Sequence, residues 1–214
     1  MAVNNYEQWR IDWQHRFLSM DPSALLCKLP FLTIENNRLL VPYFRHICPI
    51  RLTDGVIEAP EEWDKLSLMD EMNIYTMLWY SKSGATQTGE WLPFEQLRDA
   101  RAFGPAFRRG NLAPFAATFD GHADALRDAL LAFGGVPLPT GDVGYQIDVF
   151  PCIPVRVLFW DGDDEFPAQC NLLFDRSAMD FIHVESIVSI ASETLKHLAA
   201  FAGIPVRGPA IDAN

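Results

Sequence analysis

Two runs of alternating side chains late in the chain restrict the fold most. Val143, Tyr145, Ile147 and Val149 alternate with smaller or polar residues, and Val155, Val157 and Phe159 alternate with Arg156, Leu158 and Trp160. A period of two places successive side chains on opposite faces of an extended strand, so both runs read as strands. Asp161, Gly162, Asp163, Asp164 and Glu165 then form a polar turn, and Asn171 to Phe174 lead back as a third strand. Strands joined by connections this short pair antiparallel. Elsewhere strands and helices come in clusters without regular strand–helix–strand alternation. The expected fold class is therefore α+β, a mainly antiparallel sheet packed with helices in a single domain spanning residues 1–214.

Within that domain four stretches differ in pattern. Residues 1–30 are helical: Tyr6, Trp9, Trp13, Phe17 and Met20 recur at three and four, the stripe of a core-facing helix, and Asp21-Pro22 opens a second short helix that Pro30 stops. Residues 31–60 are strands, with Asn36-Asn37 supplying a tight hairpin turn and a further strand expected over residues 51–57. Residues 61–135 form a helical insert, read as helices over 61–80, 111–119 and 122–133, with a polar, glycine-punctuated surface loop at 81–89. Residues 143–214 hold the strand hairpins and a closing helix from about Glu185 to Gly203.

Charge and cysteine content narrow the function classes. The chain carries 28 acidic and 17 basic side chains, a net charge of −11, which repels a nucleic-acid backbone, so no nucleic-acid partner is expected. No apolar run is long enough to span a bilayer and the first residues lack a secretory pattern, so the expectation is a cytoplasmic protein with no membrane partner. Cys27, Cys48, Cys152 and Cys170 are too dispersed for a disulfide scaffold or a CxxC site and are expected to stay thiols.

No nucleophile elbow, zincin helix, phosphate-binding or dinucleotide-binding motif is present. The densest chemical feature is the acidic turn: Asp161, Asp163, Asp164 and Glu165 cluster carboxylate oxygens as hard divalent cations require, and Phe166 is expected to pin the turn to the body. Trp160, Glu165 and Trp91 lie beside loops and are the expected ligand-binding residues. His46 and Cys48 project to one side of a strand and offer soft ligands to a transition metal, a haem or a corrinoid. Arg156 and Asp148 read as a cross-strand ion pair, and Asp175 as a cap on the segment that follows. His15 and His197 read as surface or boundary residues of helices, with His122 near a helix start and His183 before a cap.

The runs Gly141-Asp142 through Phe150-Pro151, Leu158-Phe159-Trp160-Asp161-Gly162-Asp163-Asp164-Glu165-Phe166-Pro167 and Asn171-Leu172-Leu173-Phe174-Asp175, with Gly89-Glu90-Trp91-Leu92-Pro93-Phe94 more loosely, resemble the bacterial and archaeal domain-of-unknown-function family numbered 3786. The resemblance covers most residues after the first helix and implies no activity. Its members occur largely in anaerobes and some are fused to cysteine-rich iron–sulfur modules, which implies a setting in iron–sulfur or corrinoid-linked metabolism; this chain has no such cysteine run. The resulting expectation is a binding or accessory protein that holds a small-molecule ligand, a cofactor or a partner protein. The alternatives are a metal-assisted hydrolase or transferase using the acidic turn, and a tetrapyrrole or corrinoid carrier.

Overall fold

The computed structural model describes residues 5–208. Two helices lead the chain, α1 (Asn5–Leu18) and α2 (Pro22–Lys28), the second capped by Asp21, whose side chain accepts from the Ser23 N–H at 3.0 Å. A three-stranded antiparallel sheet follows, β1 (Thr33–Glu35), β2 (Arg38–Tyr43) and β3 (His46–Arg51). Asn36 and Asn37 both take positive φ in the first hairpin turn, as their short polar side chains allow. The expected strand over residues 51–57 is not formed: Arg51 ends β3, residues 52–54 turn, and only Ile57 bridges back to Ile50.

The helix read over residues 61–80 is shorter. It is α3 (Leu68–Tyr80), and residues 61–66 run into it without helical structure although Trp63 and Leu66 continue the apolar spacing. The start is set by a capping box: the Ser67 hydroxyl accepts from the Asp70 N–H at 3.0 Å while the Asp70 carboxylate accepts from the Ser67 N–H at 2.9 Å. Beyond α3 come the edge strand β4 (Trp91–Pro93), then α4 (Gly104–Phe107), a π-helical turn (Arg108–Leu112) and α5 (Ala113–Phe119) as one helical run. Pro114 lacks the N–H that would close an α turn on residue 110, which accounts for the widened turn just before it. The run therefore begins earlier than the helix expected from residue 111.

After α6 (Ala123–Ala132) the chain builds β5 (Val136–Pro137), β6 (Val143–Phe150), β7 (Ile153–Trp160) and β8 (Gln169–Asp175), then α7 (Val184–Ala202). These strands and β4 form one antiparallel sheet in the order β4-β8-β7-β6-β5. The fold is α+β with two antiparallel sheets, as the strand hairpins imply. The small sheet is tied to the large one where the Phe44 N–H donates to Val149 O at 2.9 Å. Strand β7 is covered on both faces, Leu158 included, so its alternation is weaker than its sequence suggests. Helix α7 is buried on most sides, packs on α3 and α6, and ends on Gly203 at φ 66°.

Gly144 in β6 is a close approach with a measurable cost. A Cβ there would stand 2.1 Å from the Thr140 carbonyl oxygen, a backbone atom fixed by the turn that leads into the strand. Gly144→Ala is expected to lower the unfolding free energy by about 2 kcal/mol through the forced backbone shift. Urea denaturation measures it, and an unchanged midpoint would show that the turn at 138–142 moves freely.

Candidate functional site

The capping box that starts α3 also places a carboxylate in the interior. Asp70 Oδ2 serves the Ser67 N–H, and the N-terminal end of a helix favours the negative charge. Its Oδ1 accepts from two donors, the buried Tyr43 hydroxyl at the end of β2 and the partly buried His197 Nε2 on α7, each at 2.9 Å. Asn73 Nδ2 donates to the Tyr43 oxygen at 3.2 Å, which leaves the hydroxyl proton for Asp70.

Glu193, one turn before His197, brings a second carboxylate. Its Oε2 accepts from the Ser67 hydroxyl at 3.1 Å and its Oε1 from Lys196 Nζ at 3.0 Å. Asp70 and Glu193 are 2% and 1% exposed, and one ligand atom from each lies within 4.8 Å of the other and of a His197 nitrogen. Burial drives both carboxyls up, but they part company. The hydrogen bond and charge of His197, with the Ser67 donors, outweigh burial at Asp70 and hold it below the ordinary carboxylate range. At Glu193 burial and then the Asp70 charge win over Lys196 and His197, so its pKa is raised. Of the two, Glu193 is therefore the carboxyl that takes up a proton more readily.

His197 joins this interior to the surface. Trp63 stacks on its ring, with centroids 4.2 Å apart and planes at 25°, and Phe44 packs at 4.8 Å. The other side opens on a cleft of about 520 Å³ lined by His46, Trp63, Lys65, Phe133, His197 and Phe201 among others. Because Asp70 is ionised and can only accept, Nε2 carries the hydrogen of their bond, which leaves Nδ1 as the ring position at which a proton can be exchanged. Nδ1 has no partner among the described residues and is not one of the buried unpaired atoms, so solvent reaches it.

The family model described as Domain of unknown function (DUF3786) matches residues 21–197. The chain belongs to this family. No curated protein and no solved structure matches it. The DUF3786 match takes in Asp70, Glu193 and His197 together with the acidic turn, and its description assigns no chemistry to either.

In this DUF3786 domain the acidic turn lies between β7 and β8, and it does not gather its carboxylates. Among the described residues only Asp70, Glu193 and His197 bring three metal-capable atoms together, so Asp161, Asp163, Asp164 and Glu165 do not converge as a ligand set. The physical reason is local: Asp163 Oδ1 accepts the N–H groups of Glu165 and Phe166 at 2.8 and 2.7 Å, which holds this carboxyl below its ordinary range, and Asp161 Oδ1 accepts those of Gly121 and Gly162. Phe166 is 63% exposed and pins nothing. Nor do Trp91, Trp160 and Glu165 form one ligand site. Trp91 pairs with Asp175 and Trp160 with Gln169, six residues apart along β8, about 20 Å. Trp91 instead stacks under the Arg156 guanidinium, 3.9 Å from its centroid.

Arg156 faces Gln146, at 3.2 Å, and Asp148 faces Pro154, so the expected ion pair between Arg156 and Asp148 is absent. His46 and Cys48 share a face of β3, but burial and the Asp70 charge push the Cys48 thiol well up, and His46 bonds Glu62 at 3.3 Å. A thiolate ligand for a haem or corrinoid is thus disfavoured there. The cysteines are free thiols and Asp175 caps the segment that follows it, as read from the sequence, whereas His183, expected just before a cap, is itself the N-cap of α7.

Proposed function

We propose that this protein binds a small organic ligand in the cleft over His197 and exchanges a proton with it, His197 being the acid–base group and Asp70 the residue that orients it. The observation that carries the reading is that one imidazole bridges a buried, ionised carboxylate and an aromatic-walled cleft. A ligand X–H placed at Nδ1 gives its proton to the lone pair, and the imidazolium formed is stabilised by Asp70. Trp63, Phe133 and Phe201 suit a flat apolar body. The iron–sulfur or corrinoid-linked setting, which rests on the family resemblance, makes flat redox cofactors, haem and corrinoids the first ligands to test.

A divalent ion held by Asp70, Glu193 and His197 is the second reading, favoured by their ligand atoms lying within 4.8 Å. It is the weaker one. All four carboxylate oxygens already accept a protein donor, and a cation at the N-terminal end of α3 opposes the helix dipole.

Labelling of the folded protein with diethyl pyrocarbonate, resolved by mass spectrometry, tests the first reading directly. His197 is expected to be modified although it is largely buried, and a cleft ligand is expected to protect it. A His197 that labels only after unfolding would overturn the proposal, and protection by stoichiometric zinc or manganese instead of an organic ligand would favour the second reading.

A further inference from the structure

Helices α3 and α7 cross antiparallel along a polar seam, and the seam is bonded at both ends. At one end Thr76 Oγ1 and Ser186 Oγ meet at 2.9 Å. At the other, Ser67 meets Glu193 at 3.1 Å and Asp70 meets His197 at 2.9 Å. Moving one step of three residues from the Thr76–Ser186 pair towards the other end brings Asn73 on α3 and Ser189 on α7 to the same register. Both are buried, at 0% and 6% exposure, and both hold an unpaired atom, Asn73 Oδ1 and Ser189 Oγ. A buried polar atom left unpaired costs about 1–3 kcal/mol, so a native interior rarely leaves one without a partner.

The two atoms are complementary through one intermediary. Asn73 Oδ1 only accepts, a serine hydroxyl donates and accepts, and they do not bond each other directly. A water can donate to Asn73 Oδ1 and take its second bond from Ser189 Oγ. We infer that an internal water bridges Asn73 and Ser189, and that Ser189 through this water is a positioning residue for Asp70. The bridge fixes the amide of Asn73 with Nδ2 on the Tyr43 oxygen, and that in turn aims the Tyr43 proton at Asp70 Oδ1. Without it the amide is free to turn over, Oδ1 takes the Tyr43 proton, and Asp70 loses one of its two interior donors. The groups facing Asp70 are then Ser67, Glu193, His197 and the Cys48 thiol, which the Asp70 charge helps to push up. The positioning role rests on the reading of Asp70 and His197 given above, whereas the water does not.

Two measurements separate these parts. In uniformly labelled wild-type protein, water-selective NMR cross-peaks to the Asn73 side-chain amide are expected from a long-lived water. Their absence, or their appearance at Asn111 with none at Asn73, would overturn the bridge. Ser189→Val fills the water position with a methyl group and Ser189→Ala removes only the hydroxyl, so one of the two folds even if the other is overpacked. In either, the Asp70 carboxyl signal is expected to titrate about half a pH unit or more higher than in the wild type, a shift that loss of packing alone does not produce. An unmoved Asp70 titration would overturn the positioning role. Diethyl pyrocarbonate labelling of His197 in the same variants reports on the cleft reading independently, because Nδ1 stays open to solvent whether or not Ser189 holds a water.

Discussion

Asp70→Ala is expected to destabilise the protein by about 3–5 kcal/mol, lowering the melting temperature by roughly 10–15 °C. The substitution strands the Tyr43 hydroxyl, His197 Nε2–H and the Ser67 N–H, three donors that meet on this one carboxylate. It also removes half of the α3 capping box. The pH dependence has a definite sign. The folded pKa of Asp70 lies below its ordinary value of 3.8, so its charge contributes stability that is present above that value and is lost as pH falls through the folded pKa. Wild type and variant should thus differ by the full amount at about pH 7 and by much less at about pH 3. Urea denaturation at both pH values measures this. Glu193→Gln serves as the contrast: the amide oxygen still accepts from Ser67, the partly exposed Lys196 ammonium that loses its acceptor can turn to solvent, and removing a carboxyl whose pKa is raised by burial and by Asp70 relieves a repulsion, so its cost should stay below about 1 kcal/mol. Equal costs for the two substitutions would mean that the two carboxyls do not differ in the way described.

The sequence showed well what is local. Asp21-Pro22, Asn36-Asn37 and Gly203 mark element ends through their own backbone preferences, and the hairpins from β6 to β8 follow from a period of two. Helix α3 starts later than the expected residue 61 because Trp63 and Leu66 extend a helical spacing that the cap at Ser67 overrules. The motif Ser67-x-x-Asp70 was the available signal, since that spacing before an apolar run marks a helix start and would have put Asp70 in its first turn. The candidate site itself is not local. Asp70 and His197 stand 127 positions apart, and the stripe of α7 on which Glu193 and His197 fall reads equally well as a boundary between core and solvent. The acidic turn misleads for the opposite reason: its carboxylates are adjacent in sequence, and adjacent carboxylates in a turn spend their oxygens on nearby N–H groups. Trp91 and Trp160 likewise looked alike because both flank loops, while the register of β8 sets them at opposite ends of the sheet.

Asp175 is the second position where one substitution should cost heavily, at a place remote from His197. Asp175 is 1% exposed at the end of β8, and its Oδ1 accepts from the Thr88 N–H and hydroxyl and from the Ser177 N–H and hydroxyl, while Oδ2 accepts from the Gly89 N–H at 2.6 Å. Burial acts to raise its pKa, but the Ser177 and Thr88 donors hold it down to about 2. Against an ordinary value of 3.8, the charge contributes about 2 kcal/mol, fully present above pH 4 and lost as pH falls towards 2. Asp175→Ala is therefore expected to cost about 2–4 kcal/mol, the larger figure including the donors left unpaired. The loss should be regional. Residues 81–89 have few other ties, the Lys82 N–H to Asp180 O and the Gln87 side chain to Pro151 O among them, so the Thr88 and Gly89 amides should exchange with solvent far faster in the variant. Diethyl pyrocarbonate labelling of His197 should not change, because the site lies more than three turns along α7 from the segment that Asp175 caps. Unchanged exchange at Thr88 and Gly89 would mean that the loop is held by something other than this carboxylate. Altered labelling of His197 would mean that α7 transmits the loss from one end to the other, and the two sites could then no longer be treated as independent.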